Sequence, residues 1–158
     1  MDLILLRHGK AEDFHCGGDF ARALLAKGRE QSRSAASLLK AAGLLPDIVL
    51  TSPLIRARQT AQEFCETAGL PEAQTQNWLA CGMRPETAMV ELAVFSEFKR
   101  IAIVGHEPDF SGLVEWLVGA KGGAVDFKKG ALACVRIDWP ARQGQLLFLV
   151  PPRLVAHG

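Results

Sequence analysis

The chain contains no apolar run long enough to cross a bilayer, which would take about 20 consecutive apolar residues. Its first residues enter a strand-like segment with no basic stretch or cleavage site ahead of it, which predicts a cytosolic protein with no membrane partner. Cysteine is sparse: Cys16, Cys65, Cys81 and Cys134 lie far apart and form no C-x-x-C pair. Reduced thiols are expected, and a zinc site is not. Net charge is also nearly absent, at +1, which leaves no global field for nucleic acid and makes any anion recognition local. Internal repeats, low-complexity tracts and linkers are missing as well. What remains is 158 residues, 49% of them hydrophobic, enough for one domain over 1–158 with its own core.

Strand and helix patterns alternate along that domain. Asp2 to Leu6 is a short apolar run and reads as a buried strand. A polar loop, Glu12 to Phe20, leads to a helix over about Ala26–Ala42, closed by Gly43, with Ala35, Leu38, Leu39 and Ala42 on its apolar side. Asp47–Leu50 is a second strand. Ser52 is expected to cap the next helix with Pro53 at its first position, running to Ala68 before Gly69. Ala73–Gln76 is a short strand, Pro85–Phe98 a helix, Ile101–Val104 a strand, and Asp109–Val118 a helix closed by Gly119. Ala131–Ile137 and Gln145–Val150 read as strands joined through Trp139–Gly144, with antiparallel pairing plausible at that end. The alternation predicts an α/β fold with a mostly parallel sheet covered by helices on both faces.

Three of the strand ends carry reactive residues. Arg7-His8-Gly9 follows the first strand, Ser52-Pro53-Leu54-Ile55-Arg56-Ala57-Arg58 the second, and Gly105-His106-Glu107-Pro108 the fourth. Strand ends are where parallel sheets place ligand-binding groups. Two histidines and several arginines at one sheet edge suit nucleophilic attack on a phosphoryl group. Arg56 falls in the first turn of its helix, where backbone N–H groups and the helix dipole also favour an anion. Arg58 is about 200° further round at ~100° per residue, so it is expected to face solvent. Arg7 and Arg56 should keep the His8 imidazole neutral and ready to attack. Phosphorus would then pass through a phosphohistidine that water hydrolyses, with His106, Arg7 and Arg56 stabilising the transferring group. No P-loop or paired-carboxylate metal motif occurs, so no cofactor is expected.

Leu6-Arg7-His8-Gly9, the Ser52–Thr60 stretch and Gly105-His106-Glu107-Pro108 together resemble the signature of the histidine phosphatase superfamily. Arg22-Ala23-Leu24 followed by Gly28, with the short chain length, is similar to its SixA-type phosphohistidine phosphatase branch. The resemblance implies a three-layer α/β/α sandwich of the phosphoglycerate mutase-like kind. It also implies His8 as nucleophile, His106 as the second site histidine, Arg7, Arg56 and Gly9 as phosphate contacts, and Arg22 near the site, where a structural ion pair is an equal alternative. The implied reaction is metal-independent, and the implied partner is a phosphohistidine-bearing protein; the alternatives are a small-molecule phosphomonoesterase of the same superfamily and a non-catalytic phosphate-binding module. Nothing in the sequence indicates an obligate interface, so a monomer is expected. Many superfamily members carry a glutamate general acid where this chain has Asn77 and then Trp78-Leu79-Ala80-Cys81-Gly82, with no carboxylate. A ring-protonated phosphohistidine leaves as neutral imidazole and needs less acid help than an alkoxide, so the gap fits that substrate. Glu12, Asp13 and Glu107 remain as substitutes. Trp78 is expected at the rim of the site, Trp116 and Leu117 in the core, and Lys128-Lys129 in a solvated turn or against an acidic partner. His15 with Cys16 reads as ordinary loop.

Overall fold

A computed structural model describes residues 1–155. Alternation along the first strand, β1 (Asp2–Arg7), explains the layering. Successive side chains leave opposite faces of a strand. Leu3 and Leu5 join one core, with Leu92 of helix α3 (Pro85–Leu92) and Leu113, Val114 and Leu117 of α4 (Asp109–Val118). Ile4 and Leu6 join the other, with Ala35 and Leu39 of α1 (Ala26–Ala41) and Ala57, Ala61 and Phe64 of α2 (Ile55–Ala68). β1 is therefore buried on both faces, as a central strand between two helical layers must be. Each fully buried leucine or isoleucine there contributes about 1.5–3 kcal/mol relative to exposure.

The sheet has six strands in the order β3-β2-β4-β1-β5-β6. β1 pairs in parallel with β4 (Arg100–Gly105), β4 with β2 (Ile48–Thr51), and β2 with the two-residue β3 (Gln74–Thr75). β5 (Leu132–Asp138) and β6 (Gln143–Val150) complete the sheet in antiparallel sense. A short α5 (Pro152–Val155) follows. This is the three-layer α/β/α architecture expected.

Two local expectations are corrected. Leu54, not Ser52, is the residue before the first turn of α2, and Ser52 lies ahead of the helix with its hydroxyl recruited elsewhere. The helix predicted over Pro85–Phe98 ends at Leu92 and tightens into a 3-10 turn over Ala93–Phe95. Leu92, Phe95 and Phe98 are spaced by three, so the tighter turn keeps Phe95 and Phe98 against the core.

Candidate active site

The carboxyl ends of β1, β2 and β4 lie in register, and that register gathers the three motifs. Arg7 is opposite Gly105, and Thr51 opposite Val104. Beyond the last paired residues the chains remain tied: His8 N–H donates to Gly105 O (3.1 Å) and Ser52 N–H to Val104 O (3.0 Å). At Gly9 the loop passes so close to α1 that an added Cβ would lie 2.5 Å from Gly28 O, which only glycine permits. The Gly9 amide expected to face phosphate is already engaged, donating to Thr60 Oγ1 (3.2 Å), and Thr60 in turn donates to Arg56 O (2.8 Å). Gly9 thus locks the His8 loop onto α2.

His8 is buried, with 5% of its surface exposed. Its Nδ1 lies 2.8 Å from Gly9 O. A carbonyl can only accept, so the ring proton sits on Nδ1 and Nε2 keeps its lone pair. Arg56 Nε–H donates to that Nε2 at 3.3 Å. Burial, first of all, pushes the His8 pKa down to about 3, with His106, Arg56 and Arg7 acting in the same direction and the Gly9 hydrogen bond opposing. The sequence pointed to the arginines as the cause; desolvation outweighs them.

The His106 ring stands 5.3 Å from that of His8, centroid to centroid. Its Nε2 is 2.7 Å from Ser52 Oγ. Ser52 Oγ accepts from Leu54 N–H (3.3 Å), and the hydroxyl is fully buried, so its own proton is best satisfied on His106 Nε2. This network assigns the imidazole proton to Nδ1, which is buried and has no partner among the described residues. Burial also leads in lowering the His106 pKa to about 4, with Arg56 and Arg7 adding to it and Asp19 opposing. Arg7 donates through one terminal nitrogen to Phe127 O (2.7 Å), while its Nε is likewise buried with no partner among the described residues. Buried orphan donors are rare, and these two belong to residues beside His8.

Arg56, 5% exposed, reaches the site from the first turn of α2. Its terminal nitrogens donate to Asp19 O (2.9 Å) and Asp19 Oδ2 (3.3 Å), and the second also contacts Cys81 Sγ at 3.7 Å. Arg58 is exposed, as its helix angle predicted. It lines a separate cleft of about 580 Å³ between α2 and β3 that includes neither histidine. Arg22 donates to Glu12 O (2.6 Å) and pairs with Asp19 Oδ1 (2.8 Å), so it joins the site only through Asp19. The Arg22 hydrogen bond, aided by Arg56, holds the Asp19 carboxyl below its usual range.

Asp19 is the residue that sequence reasoning missed. The available signal was its position three residues before Arg22. The three carboxylates considered as substitutes lie otherwise: Glu12 accepts from Ala23 N–H (2.9 Å), Glu107 accepts from Ser111 N–H and Oγ–H (2.7 and 2.8 Å), and Asp13 is exposed. The stretch after Asn77 brings a thiol, Cys81, against Arg56, and is anchored by Asp109, which accepts from Gly82 and Met83 N–H (2.9 and 3.1 Å). Trp78 is half-buried against the core, with its indole N–H on Gln76. Trp116 is partly exposed (39%), while Leu117 is core, so only the second follows expectation.

Known proteins share this sequence pattern and fold. The profile of the histidine phosphatase superfamily (branch 1) matches residues 3–80. The phosphohistidine phosphatase SixA of Escherichia coli is 34% identical over 141 residues, spanning 87% of this chain and 86% of that protein. Phosphoglycerate mutase 2 of Saccharomyces cerevisiae is 47% identical over 75 residues, but these are 42% of this chain and 24% of the mutase. A solved structure of the protein histidine phosphatase SixA complexed with tungstate superposes with a TM-score of 0.90 at 25% identity, covering 98% of this chain and 99% of that one. The likeness to the mutase is confined to a shared segment, whereas the likeness to SixA runs the length of both proteins. With two histidines and two arginines converging at the strand ends of a matching fold, the chain belongs to the histidine phosphatase superfamily, in its SixA-type branch.

Proposed function

We propose that this phosphatase acts on phosphohistidine carried by another protein, through a covalent phosphohistidine at His8 Nε2 and without a metal ion. The observation that carries the reading is the His8 lone pair, aligned by Gly9 O and met by Arg56 at 3.3 Å. A group used only to bind phosphate has no need of a deprotonated nitrogen in that position. On substrate binding, Arg56 N–H turns from Nε2 to a phosphoryl oxygen, and the unpartnered Arg7 Nε–H and His106 Nδ1–H supply two further donors. Nε2 attacks phosphorus, the substrate P–N bond breaks, and its electron pair leaves on an imidazole already protonated at the other nitrogen. Water then attacks the phosphoenzyme, the P–Nε2 bond breaks, and His8 returns to its Nδ1–H form while the water proton leaves with phosphate. Cationic and neutral donors hold the charge throughout.

The absence of a carboxylate after Asn77 supports a leaving group that needs no enzyme acid, and the SixA likeness supports a protein substrate. We read the enzyme as one domain acting as a cytoplasmic monomer. The test is to mix it with a histidine-phosphorylated phosphotransfer domain, quench at alkaline pH, and follow labelled phosphate onto His8 and into solution. Rapid turnover of small phosphomonoesters with none of the phosphoprotein would overturn the reading.

A further inference from the structure

Of the eight phenylalanines, six are buried or half-buried, and the two exposed ones sit on a single loop. Phe14 is 80% exposed and Phe20 54%. That loop is not a loose excursion. Its base is pinned by the Ala11–Leu24 bridge, by Glu12 N–H to Ala23 O (2.8 Å) and by Leu24 N–H to Gln59 (2.7 Å). Its far limb, a 3-10 turn over Asp19–Ala21, rests on the site itself, since the carbonyl and carboxylate of Asp19 both hold Arg56. Arg22 braces the same carboxylate from within the loop. Phe20 therefore follows directly on a residue that touches Arg56, and more than half of its surface is exposed.

We propose that the Asp13–Ala21 loop is the docking surface for the phosphohistidine-bearing protein, with Phe14 and Phe20 as its apolar contacts. The inference rests on the function proposed above and specifies how the substrate is chosen. His8 and Arg56 are each 5% exposed, so a phosphoryl group reaches them only at the tip of a projecting side chain. The surface bearing that side chain must then meet the element that covers Arg56. Two exposed aromatic rings there have nothing to bury against a small, fully hydrated phosphate ester. Against a protein face with apolar residues beside its phosphohistidine, they supply the rigid aromatic anchors that interfaces favour. The Asp19 tethers hold them in place before binding, which reduces the ordering cost of association. The Asp19 carboxylate is already paired with two arginines, so the loop can approach a phosphoryl group without that carboxylate presenting it a free negative charge.

The test compares two donors, a histidine-phosphorylated phosphotransfer domain and free phosphohistidine, on wild type, Phe14→Ser, Phe20→Ser and the double variant. Both side chains are solvent-facing, so an unchanged melting temperature is the check that folding is intact. For the protein donor, KM should rise about tenfold for a single variant and further for the double, on the scale of burying a phenylalanine, with kcat retained. For free phosphohistidine, kcat/KM should stay within about twofold. Equal losses on both donors would overturn the proposal by showing that the loop acts on site geometry, and so would no loss on either. Wild type failing to turn over both donors would remove the proposed function and this inference with it, whereas wild-type turnover with indifferent variants would remove this inference alone.

Discussion

The strand-end site and the loop that leans on it are built by opposite means. At the strand ends, His8, His106 and Arg56 are almost wholly buried, and backbone bonds to Gly105 and Val104 continue the sheet ladder beyond the strands into His8 and Ser52. In the loop, Phe14, Asp19 and Phe20 face solvent, and order comes from a few side-chain bonds, chiefly those of Arg22 and Arg56 to Asp19. Burial at the first keeps imidazole neutral and strengthens each hydrogen bond made there. Exposure at the second leaves a surface free for another molecule. On the function and docking surface proposed above, chemistry and choice of substrate fall to regions of different packing, joined at the Arg56–Asp19 contact.

The largest expected effect lies in the buried half. His8→Ala should abolish phosphoenzyme formation, measured by alkaline-quench labelling, while circular dichroism remains native. Turnover at the wild-type rate would dissolve the distinction between the regions, because the buried nitrogen would then not be the nucleophile. Arg56→Ala should follow, with kcat/KM down about 10²–10³-fold through loss of transition-state hydrogen bonds. Arg58→Ala, two residues away on the exposed side of α2, should change kcat/KM less than about threefold, and an equal loss would mean that the phosphate is read from the wrong face of the helix.

Asp19→Asn tests the junction. The Arg22 and Arg56 bonds lose their ionic character, so kcat/KM should fall about tenfold on both protein and small donors. This differs from the donor-selective response expected of Phe14 and Phe20. A loss confined to the protein donor would place Asp19 with docking instead of with Arg56.

Acidity distinguishes the halves in a subtler way. Both histidines are held neutral, His8 to about pH 3 and His106 to about pH 4, whereas an unfolded histidine takes a proton near ~6.5. Between those values the unfolded chain binds more protons. Their contribution to stability is therefore full above about pH 6.5 and is lost as pH falls towards the folded values. Urea midpoints should decline from pH 7 to 4, with a shallower slope in His8→Ala. Single-turnover phosphoenzyme formation should show no enzyme titration near ~6.5. A limb at that pH, present with donors of different pKa, would contradict a desolvated nucleophile. The smallest effect expected is that of EDTA, since the positive charge resides in Arg7 and Arg56: activity should be unchanged, and loss restored by a divalent ion would assign that charge to a metal.

Much of this was legible from residue order. The apolar run Leu3–Leu6, the Arg7-His8-Gly9 turn and the glycine stops after α2 and α4 are local signals, because strand burial, turn geometry and a left-handed helix end each depend on a few adjacent residues. Angular position on a helix is local too, which is why Arg56 and Arg58 could be told apart. What the sequence could not reveal were partnerships between distant segments. The Ser52 hydroxyl had a local role open to it as a cap, and only the placement of β4 beside β2 presents His106 as the stronger partner, 54 residues away. Asp19 is an unremarked loop carboxylate until α2 brings Arg56 beneath it, and Cys81 acquires a neighbour by the same docking. The depth of desolvation at His8 was likewise decided by packing, since it depends on every element that closes over the strand ends. Residue types and their spacing determined which chemistry the chain could perform; the tertiary structure decided which proton, carboxylate and exposed ring stand beside it, because those contacts join parts of the chain that no local rule connects.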